Sequence, residues 1–560
     1  MNKQCKQCSK TFPIYDEDKV MYAKFDVSEP TLCPDCRNQR RLSFRQERNL
    51  YSRTCDLCKK VTVSLYPEDS EYRVYCPECW WSDKWSPLDY GMKYNRDLSF
   101  FEQFDKLLKQ VPRVSMVGSH NENSDFVNFA NYCKNCYLVY GATDSENCLY
   151  TWRLYHSKDS LDGTHMNKSE LGYYGINVDN IYNSSFLYKC KNVTDSAFLF
   201  DCQTASNCFM STNLRTAQYV FKNEQLTQAA YQRAIEKYDL GSYKILRQTW
   251  EEFKEMFTNK AIHRAVDVLK SENVIGNDFV NCKNCYYSFA LKESENTRYS
   301  FYGESLKEAM DVVLCGWPAE LIYESLSVAI GSNNTKFSVV AWNCLDTEYS
   351  NNCHNSRRLF GAAGINKGEN IILNTQLTVQ EYDSLRNEIV NQMKVDNEYG
   401  EFFPHTLSPY GYNETLANDF YPLSEESVKQ RGWKWRTQLA GAQKNDNEVI
   451  DAPDHIDDVN DDITNGMLGC QQCRNYYKIV PQELAFYRKQ HLAIPRLCSS
   501  CRLSERMAIR TPLTLWQRQC MCTQPEHGHA GRCSNEFDTT YDPNGKEIVY
   551  CEGCYQKEIY

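Results

Sequence analysis

Residues 183–210 read Asn183-Ser-Ser-Phe186-Leu-Tyr-Lys-Cys190-Lys-Asn-Val-Thr-Asp195-Ser-Ala-Phe198-Leu-Phe-Asp-Cys202-Gln-Thr-Ala-Ser-Asn207-Cys-Phe-Met210, and this arrangement returns every 12 residues. Traced outward, a marker position holds Asn123, Asn135, Asn147, Asp159, Leu171, Asn183, Asp195 and Asn207. The next position is always small: Ser124, Cys136, Cys148, Ser160, Gly172, Ser184, Ser196, Cys208. Two residues further come Phe126, Leu138, Tyr150, Asp162, Tyr174, Phe186, Phe198 and Met210, mostly large. A fixed period of this kind marks a repeat architecture. Small–x–large alternation reads as a strand with one face inside, and the preceding Asn or Asp suits a corner. Stacked coils would align these residues into ladders, which predicts a β-solenoid. Aromatic rings facing inward need about 10 Å between opposing sheets, so the expected rung is two repeats, 24 residues.

A second, weaker copy follows, with a frame through Cys285, Thr297, Ala309 and Leu321 and, after a two-residue slip, Thr335, Thr347, Leu359 and Ile371. The copies begin alike, Cys133-Lys-Asn-Cys136-Tyr and Cys282-Lys-Asn-Cys285-Tyr, and end alike, Asn223-Glu-Gln-Leu-Thr227 and Asn374-Thr-Gln-Leu-Thr378. Each runs into a helical segment expected to cap an open solenoid end. Eleven cysteines lie in this region; Cys136, Cys148 and Cys208 share a slot with serines and glycine, which reads as a small inward residue. Cys133/Cys136 and Cys282/Cys285 have the alternative of meeting around a metal.

Most other cysteines, of 28 in all, fall in C-x-x-C pairs. In a large chain without an export signal such pairs favour zinc in a reducing cytosol over disulfides. Pairing neighbours gives Cys5, Cys8, Cys33, Cys36 and then Cys55, Cys58, Cys76, Cys79, two tetrahedral sites; an interleaved pairing is the alternative. The far end repeats the arrangement. Cys470/Cys473 and Cys498/Cys501 enclose 24 residues, as Cys8 and Cys33 do, and Tyr22 matches Tyr487. Cys36 to Cys55 and Cys501 to Cys520 are both 19 positions, and Cys58 to Cys76 and Cys533 to Cys551 are both 18. The last site, Cys520, Cys533, Cys551 and Cys554, differs by an insertion carrying Cys522, His527 and His529, which either exchange into it or hold a second ion. An open catalytic zinc would need a vacancy and a base such as Glu526, so a closed structural site is favoured. About four structural Zn2+ ions are expected.

The fold class is therefore mainly β with helical segments: a duplicated β-solenoid flanked by N- and C-terminal zinc-ribbon pairs. The segments read as tandem ribbons 1–94, a connecting helix 95–119, solenoid copies 120–222 and 273–374, helical segments 223–272 and 375–395, a linker 396–469 and tandem ribbons 470–560. Ser99-Phe-Phe-Glu102 is a capping box, and its helix, with Trp80, Trp81 and Trp85, is expected to pack the N-terminal module onto the first solenoid copy. The linker, aromatic at first and then acidic (Asp446, Glu448, Asp451, Asp454, Asp457, Asp458, Asp461, Asp462), reads as flexible.

The net charge is −10, but basic residues gather beside the ribbons. Residues 37–60 hold Arg37, Arg40, Arg41, Arg45, Arg48, Arg53, Lys59 and Lys60 against Glu47 and Asp56; residues 470–520 hold nine basic side chains, Arg502, Arg506 and Arg510 among them, against Glu483 and Glu505. Arginine meets phosphate bidentately, so these helices are candidates for nucleic acid; solvated helices partnered by the acidic linker are the competing reading. No membrane span, P-loop, GxSxG, dinucleotide fingerprint or HExxH occurs, and no small-molecule substrate is evident.

The segment Cys5-x-x-Cys8…Pro30-Thr-Leu-Cys33-Pro-Asp-Cys36-Arg37 resembles the probable zinc-ribbon domain family. Cys76-Pro-Glu-Cys79-Trp-Trp-Ser-Asp-Lys-Trp85, the Asn-Cys repeats, Tyr412-Asn-Glu-Thr415 and Ile548-Val-Tyr-Cys-Glu-Gly-Cys554-Tyr are similar to large zinc-ribbon proteins of candidate-phyla-radiation bacteria. The resemblance implies a bacterial, cytoplasmic zinc protein and brings no activity with it. A non-catalytic scaffold is the expected function, binding RNA or DNA, or a ribonucleoprotein, through the basic helices. The alternative is a protein–protein adaptor using the solenoid surface. A glycan-processing enzyme using Asp162 and Asp311, which occupy equivalent repeat positions, comes third.

Overall fold

In the computed structural model, which describes residues 1–437, 439 and 450–560, parallel strands pair coil on coil at a spacing of 12: Tyr140 with Trp152, Trp152 with Thr164, Thr164 with Ile176, Ala197 with Phe209. The rung is thus 12 residues, not the expected 24. Backbone geometry explains how so short a coil closes. From Phe129 to Lys222 every third residue has positive φ, so each coil turns four corners joined by three-residue sides. Left-handed corners at residues such as Tyr150 and Phe198 cost about 1–2 kcal/mol each, and ladder hydrogen bonds offset that. The corner N–H groups of Asn135, Tyr150 and Asp162 donate to the carbonyls of Glu122, Tyr137 and Leu149 in the preceding coil, at 3.0, 3.1 and 3.1 Å.

One residue per side points inward. The interior cluster is Val127, Ala130, Cys133, Cys136, Val139, Ala142, Cys148 and their successors, through Leu199, Cys202, Ala205 and Cys208 to Val220. The rings fill a different cluster. Tyr150, Tyr174, Phe186 and Phe198 lie outside the coil; Tyr174, Phe186 and Phe198 are covered by Trp250 and Phe253 of the helix Tyr243–Asn259, and Tyr150 by Glu483 and Arg502. Phe186 stacks on Phe198 at 4.5 Å, and Tyr174 meets Trp250 at 5.0 Å. The inward-facing aromatics of the sequence reading are corrected accordingly: an interior of Cys, Ser, Ala, Val and Leu is what a 12-residue coil can hold, and the rings become an outer face. This helix covers a side of the solenoid rather than capping its end, as does Val379–Val395, whose Arg386 pairs with Glu348 at 2.6 Å. The stacks end instead in tight antiparallel reversals, Val220 against Gln225 and Ile371 against Gln376. Paired left-handed residues, Lys222-Asn223 and Leu373-Asn374, turn the chain there.

Small polar side chains stitch the coils together. Ser184 Oγ donates to the Tyr182 carbonyl at 2.7 Å and accepts the Ser196 N–H at 3.2 Å. The predicted Asn ladder runs Asn123 to Asn135 to Asn147 to Asp159, each amide donating to the next side chain at 2.8, 3.1 and 2.8 Å. Interior thiols act alike: Cys136 Sγ donates to the Lys134 and Ser145 carbonyls, and Cys285 Sγ to those of Lys283 and Ser294.

The second copy repeats this plan with faults in register. Ala309 pairs with Ile322 and Ile322 with Thr335, both 13 apart, so the two-residue slip is two coils lengthened by one residue each, with Ile322 in the frame in place of Leu321. The register shifts separately at Gly276, and the first of these two insertions falls just after Gly316. Both glycines have positive φ, 144° and 131°, and a Cβ there would lie 1.8 Å from the Ser288 carbonyl oxygen and 1.9 Å from that of Glu304. Gly316→Ala is expected to lower the stability of this unit by about 1–3 kcal/mol, read as a drop in its thermal midpoint.

The chain divides into two compact units, Met1–Ser115 with Val266–Thr437, and Met116–Ala265 with Gln438–Tyr560. The first therefore joins the N-terminal cysteine modules to the second solenoid copy. Its helix Phe100–Gln110 has the predicted capping box, but Phe100 packs on Tyr349 and Phe360 at 5.3 and 5.2 Å. Trp80 and Trp81 pack on His354 at 5.9 and 5.2 Å. The predicted docking of this module on the first copy is corrected to the second. The other unit joins the first copy to the C-terminal modules.

The linker is ordered on both sides of the undescribed stretch, correcting its reading as flexible; Asp446 and Glu448 lie outside the described residues. Phe402, Phe403, Tyr410 and Tyr412 are buried in the first unit. In the second, Ile456, Val459 and Ile463 are buried between the acidic residues, and Asp454 accepts from Ser242 Oγ at 2.6 Å at the start of the long helix. Among the described residues, no helix is long and apolar enough to cross a membrane.

Candidate metal centres

Four tetrads of thiols form, each from chain-order neighbours: Cys5, Cys8, Cys33, Cys36; Cys55, Cys58, Cys76, Cys79; Cys470, Cys473, Cys498, Cys501; and Cys520, Cys533, Cys551, Cys554. The interleaved pairing is thereby eliminated. One half of each tetrad comes from a hairpin, such as Tyr51–Thr54 with Val61–Ser64 around Cys55. A left-handed residue (Ser9, Lys59, Arg474) tightens the loop in the first three modules. The other half sits at a helix start. Cys33, Cys76, Cys498 and Cys551 are N-cap residues with φ near −64° and ψ near 160°, and Cys36, Cys79, Cys501 and Cys554 lie in the first turn that follows.

The sulfur spacing tests what fits. Four thiolates about 2.3 Å from a tetrahedral zinc ion stand about 3.8 Å apart. Cys8 and Cys33 are 3.7 Å apart, Cys58 and Cys76 3.9 Å, Cys473 and Cys498 3.7 Å. Backbone N–H groups also aim at sulfur: Cys76 N–H at Cys55 Sγ (3.2 Å), Cys498 N–H at Cys470 Sγ (3.3 Å), Cys551 N–H at Cys520 Sγ (3.2 Å). Burial pushes the Cys55 and Cys470 thiols up, but such N–H donors outweigh it and hold both at about 7, favouring the thiolate a metal needs. Cys522, His527 and His529 gather around Cys554 beside the last tetrad.

The arginines predicted to face phosphate are placed elsewhere. Arg37 and Arg41, on the helix Pro34–Leu42, are buried against Asp311 at 2.9 and 3.2 Å. Glu324 takes Arg41 at 2.9 Å and Arg40 at 3.2 Å. Arg45 pairs with Glu47, Arg48 with Asp419 and Arg53 with Asp56, at 2.6, 2.7 and 3.0 Å. In the other unit Arg502 and Arg506, on the helix Ser499–Ala508, are buried against Asp162 at 2.8 and 2.9 Å, while Arg510 beyond its end is half-buried. Arg37, Arg40, Arg41 and Arg45, and Arg502 and Arg506, form the seam between cysteine module and solenoid instead of a surface, whereas Arg48 ties the module to the segment after the second copy and Arg53 is held within the module. Asp162 and Asp311 are correspondingly sealed beneath guanidinium groups, fully buried, rather than open to a glycan.

Sequence reasoning missed that this seam is duplicated residue by residue. Arg37 and Arg41 stand four and eight places after Cys33, as Arg502 and Arg506 do after Cys498. Tyr299 donates to Asp18 at 3.0 Å and Tyr150 to Glu483 at 2.8 Å, and Arg37 and Arg502 lie over those tyrosine rings at 5.2 and 4.8 Å. The matching cysteine spacings and the Asp162–Asp311 equivalence were the available signal.

No protein-family model matches the chain, and the search of curated proteins returned no match. Among solved structures, a putative acetyltransferase from Desulfovibrio desulfuricans G20 is similar at 12% identity, over 51% of this chain and 81% of that one, with a TM-score of 0.12.

Proposed function

We propose that the chain is a non-catalytic zinc-held scaffold, with a closed zinc ion in each cysteine tetrad, and that its solenoid faces dock a protein partner. The observation that carries the zinc assignment is the tetrahedral sulfur spacing at hairpin-and-helix sites. The observation that favours a protein partner over nucleic acid is where the positive charge lies. The arginines of both module helices are committed to carboxylates. The exposed solenoid faces carry alternating charge, Lys134 beside Glu122, Lys158 beside Glu146, Lys307 beside Glu320 and Arg357 beside Glu369, each pair one coil apart. A duplex or single strand wants an uninterrupted basic track, whereas an alternating array suits a partner of complementary pattern and sets specificity more than affinity.

The test is a titration of the zinc-loaded chain against short RNA and DNA across a salt series, beside capture of partners with the full chain as bait. The expected result is weak, sequence-indifferent nucleic-acid binding and a nuclease-resistant protein partner. Its capture should fall at least tenfold when Lys134 and Lys158 are both replaced by glutamate. Tight nucleic-acid binding that weakens steeply with salt would overturn the adaptor reading.

A further inference from the structure

Resting on the reading of the tetrads as zinc sites, we propose that the last cysteine module holds two zinc ions bridged by the Cys554 thiolate. One ion takes Cys520, Cys533, Cys551 and Cys554; the other takes Cys522, His527, His529 and, again, Cys554. Donor count is the first argument. Two tetrahedral ions need eight bonds, and the module gathers seven donors, so one shared sulfur closes both shells. Cys554 is the residue common to the two groups, each of which brings its ligand atoms within 4.8 Å of one another. Cys522 Sγ lies 3.1 Å from His527 Nδ1, and Cys554 Sγ lies 3.5 Å from His529 Nε2.

The outer nitrogens are the second, independent argument. A ligating imidazole presents one nitrogen to the metal and donates the other N–H to a carboxylate or carbonyl. His527 turns Nδ1 to Cys522 and has Nε2 3.5 Å from the Glu558 carboxylate. His529 turns Nε2 to Cys554 and has Nδ1 2.9 Å from the Gly531 carbonyl. Two histidines using opposite nitrogens, each with an acceptor behind it, are arranged as ligands. Cys522 and Cys554 are buried at 0% and 4% exposure, where a thiolate needs a cation. Five thiolates against two Zn2+ leave one negative charge. Arg532, bonded to the Cys520 carbonyl at 2.9 Å, and Lys557, bonded to the His527 carbonyl at 2.7 Å, stand close to it. On binding, each thiol gives its proton to solvent. Both shells are then full, so the pair is structural and tethers the insertion loop to the C-terminal helix Glu552–Ile559.

The experiment is zinc counting by native mass spectrometry on the full chain, paired with NMR of the cadmium-substituted protein. Five ions are expected, with two cadmium resonances split by mutual coupling through the shared sulfur. His527→Ala with His529→Ala should reduce the count to four and abolish the splitting while leaving the first tetrad loaded. Cys522→Ser alone gives a second route to the same loss if the histidine variant folds poorly. Four ions, unchanged by these variants, would overturn the second site alone, and five uncoupled resonances would overturn the bridge. A chain whose tetrads take no ion overturns both this inference and the zinc reading beneath it.

Discussion

With zinc in the tetrads as proposed, its removal by a strong chelator is expected to unfold the cysteine modules and expose the solenoid surfaces they cover, while the coils themselves persist. Structural zinc contributes about 10–16 kcal/mol to folding its module, comparable with the whole stability of an ordinary domain, about 5–15 kcal/mol. Immediately around Cys470, Cys498 and Cys501 the packed apolar neighbours are Tyr477 and Leu497; the module's larger apolar side chains, Leu484, Phe486 and Tyr487, pack toward the solenoid instead. Loss of the modules would uncover rings. Tyr173 packs on Phe486 and Tyr487 at 6.1 and 5.9 Å; in the other unit Tyr323 packs on Tyr22 and Phe25 at 6.2 and 5.1 Å. Near-ultraviolet circular dichroism should therefore collapse and a hydrophobic dye should bind. The far-ultraviolet strand signal should hold, because coil-to-coil bonds do not pass through the modules. Cys33→Ser and Cys498→Ser should each reproduce the change in the unit that contains it. Acid should help the chelator: protons compete with zinc for thiolates, so release moves to lower chelator concentration as pH falls. Unchanged near-ultraviolet signal after complete zinc removal would mean that the modules fold without metal.

The tetrads and the 12-residue repeat were legible because both are local. A C-x-x-C turn supplies its own two ligands, and Asn123, Asn135 and Asn147 sit above one another once the period is counted. Which way the rings point was not legible. Ser184, Phe186 and Tyr188 alternate as a strand would, and a three-residue corner spacing hides inside a period of 12 that it divides. The helix residues Trp250, Phe253 and Phe257 were the sign that an outer aromatic face needed covering. The seam was hidden for a different reason. Arginines in a short helix look solvent-bound until their carboxylates are found, and Arg37 meets Asp311 from 274 residues away. Local sequence does not state that the N-terminal modules belong with the second solenoid copy. The two sets of equivalent spacings come close, since both copies carry a carboxylate at the same repeat position and both modules carry arginines at the same offset.

Asp162→Ala is expected to destabilise its unit by about 3–5 kcal/mol, the cost of leaving buried guanidinium groups without their carboxylate. Asp162 takes Arg502 on one oxygen and Arg506 on the other, with all three side chains at most 4% exposed. Arg502 keeps a second partner in Glu483 at 3.2 Å, but the hydrogen-bond partners left to Arg506 among the described residues are neutral, Thr164 Oγ1 and the Tyr150 carbonyl. Asp311→Ala should cost less in the other unit, because Glu324 still holds Arg41 and lies 3.9 Å from Arg37. Removing charge from both sides tests the argument. Asp162→Leu with Arg506→Met should recover most of the loss, since a buried pair gains little over apolar residues of similar size. Chemical unfolding of the single and double variants measures this. A double variant as unstable as Asp162→Ala would show that the carboxylate acts through something other than its arginines. If stability does not need the pair, its role lies in register. Among Phe126, Leu138, Tyr150, Asp162, Tyr174, Phe186, Phe198 and Met210, one corner in eight carries a charge. A helix presenting Arg502 and Arg506 therefore has one coil on which it can dock without burying a naked cation. In the second copy the carboxylates occupy two successive coils, Asp311 and Glu324, and three arginines meet them. The double variant should then keep its stability but dock its module less uniquely, visible as broadened NMR signals from the helix Ser499–Ala508.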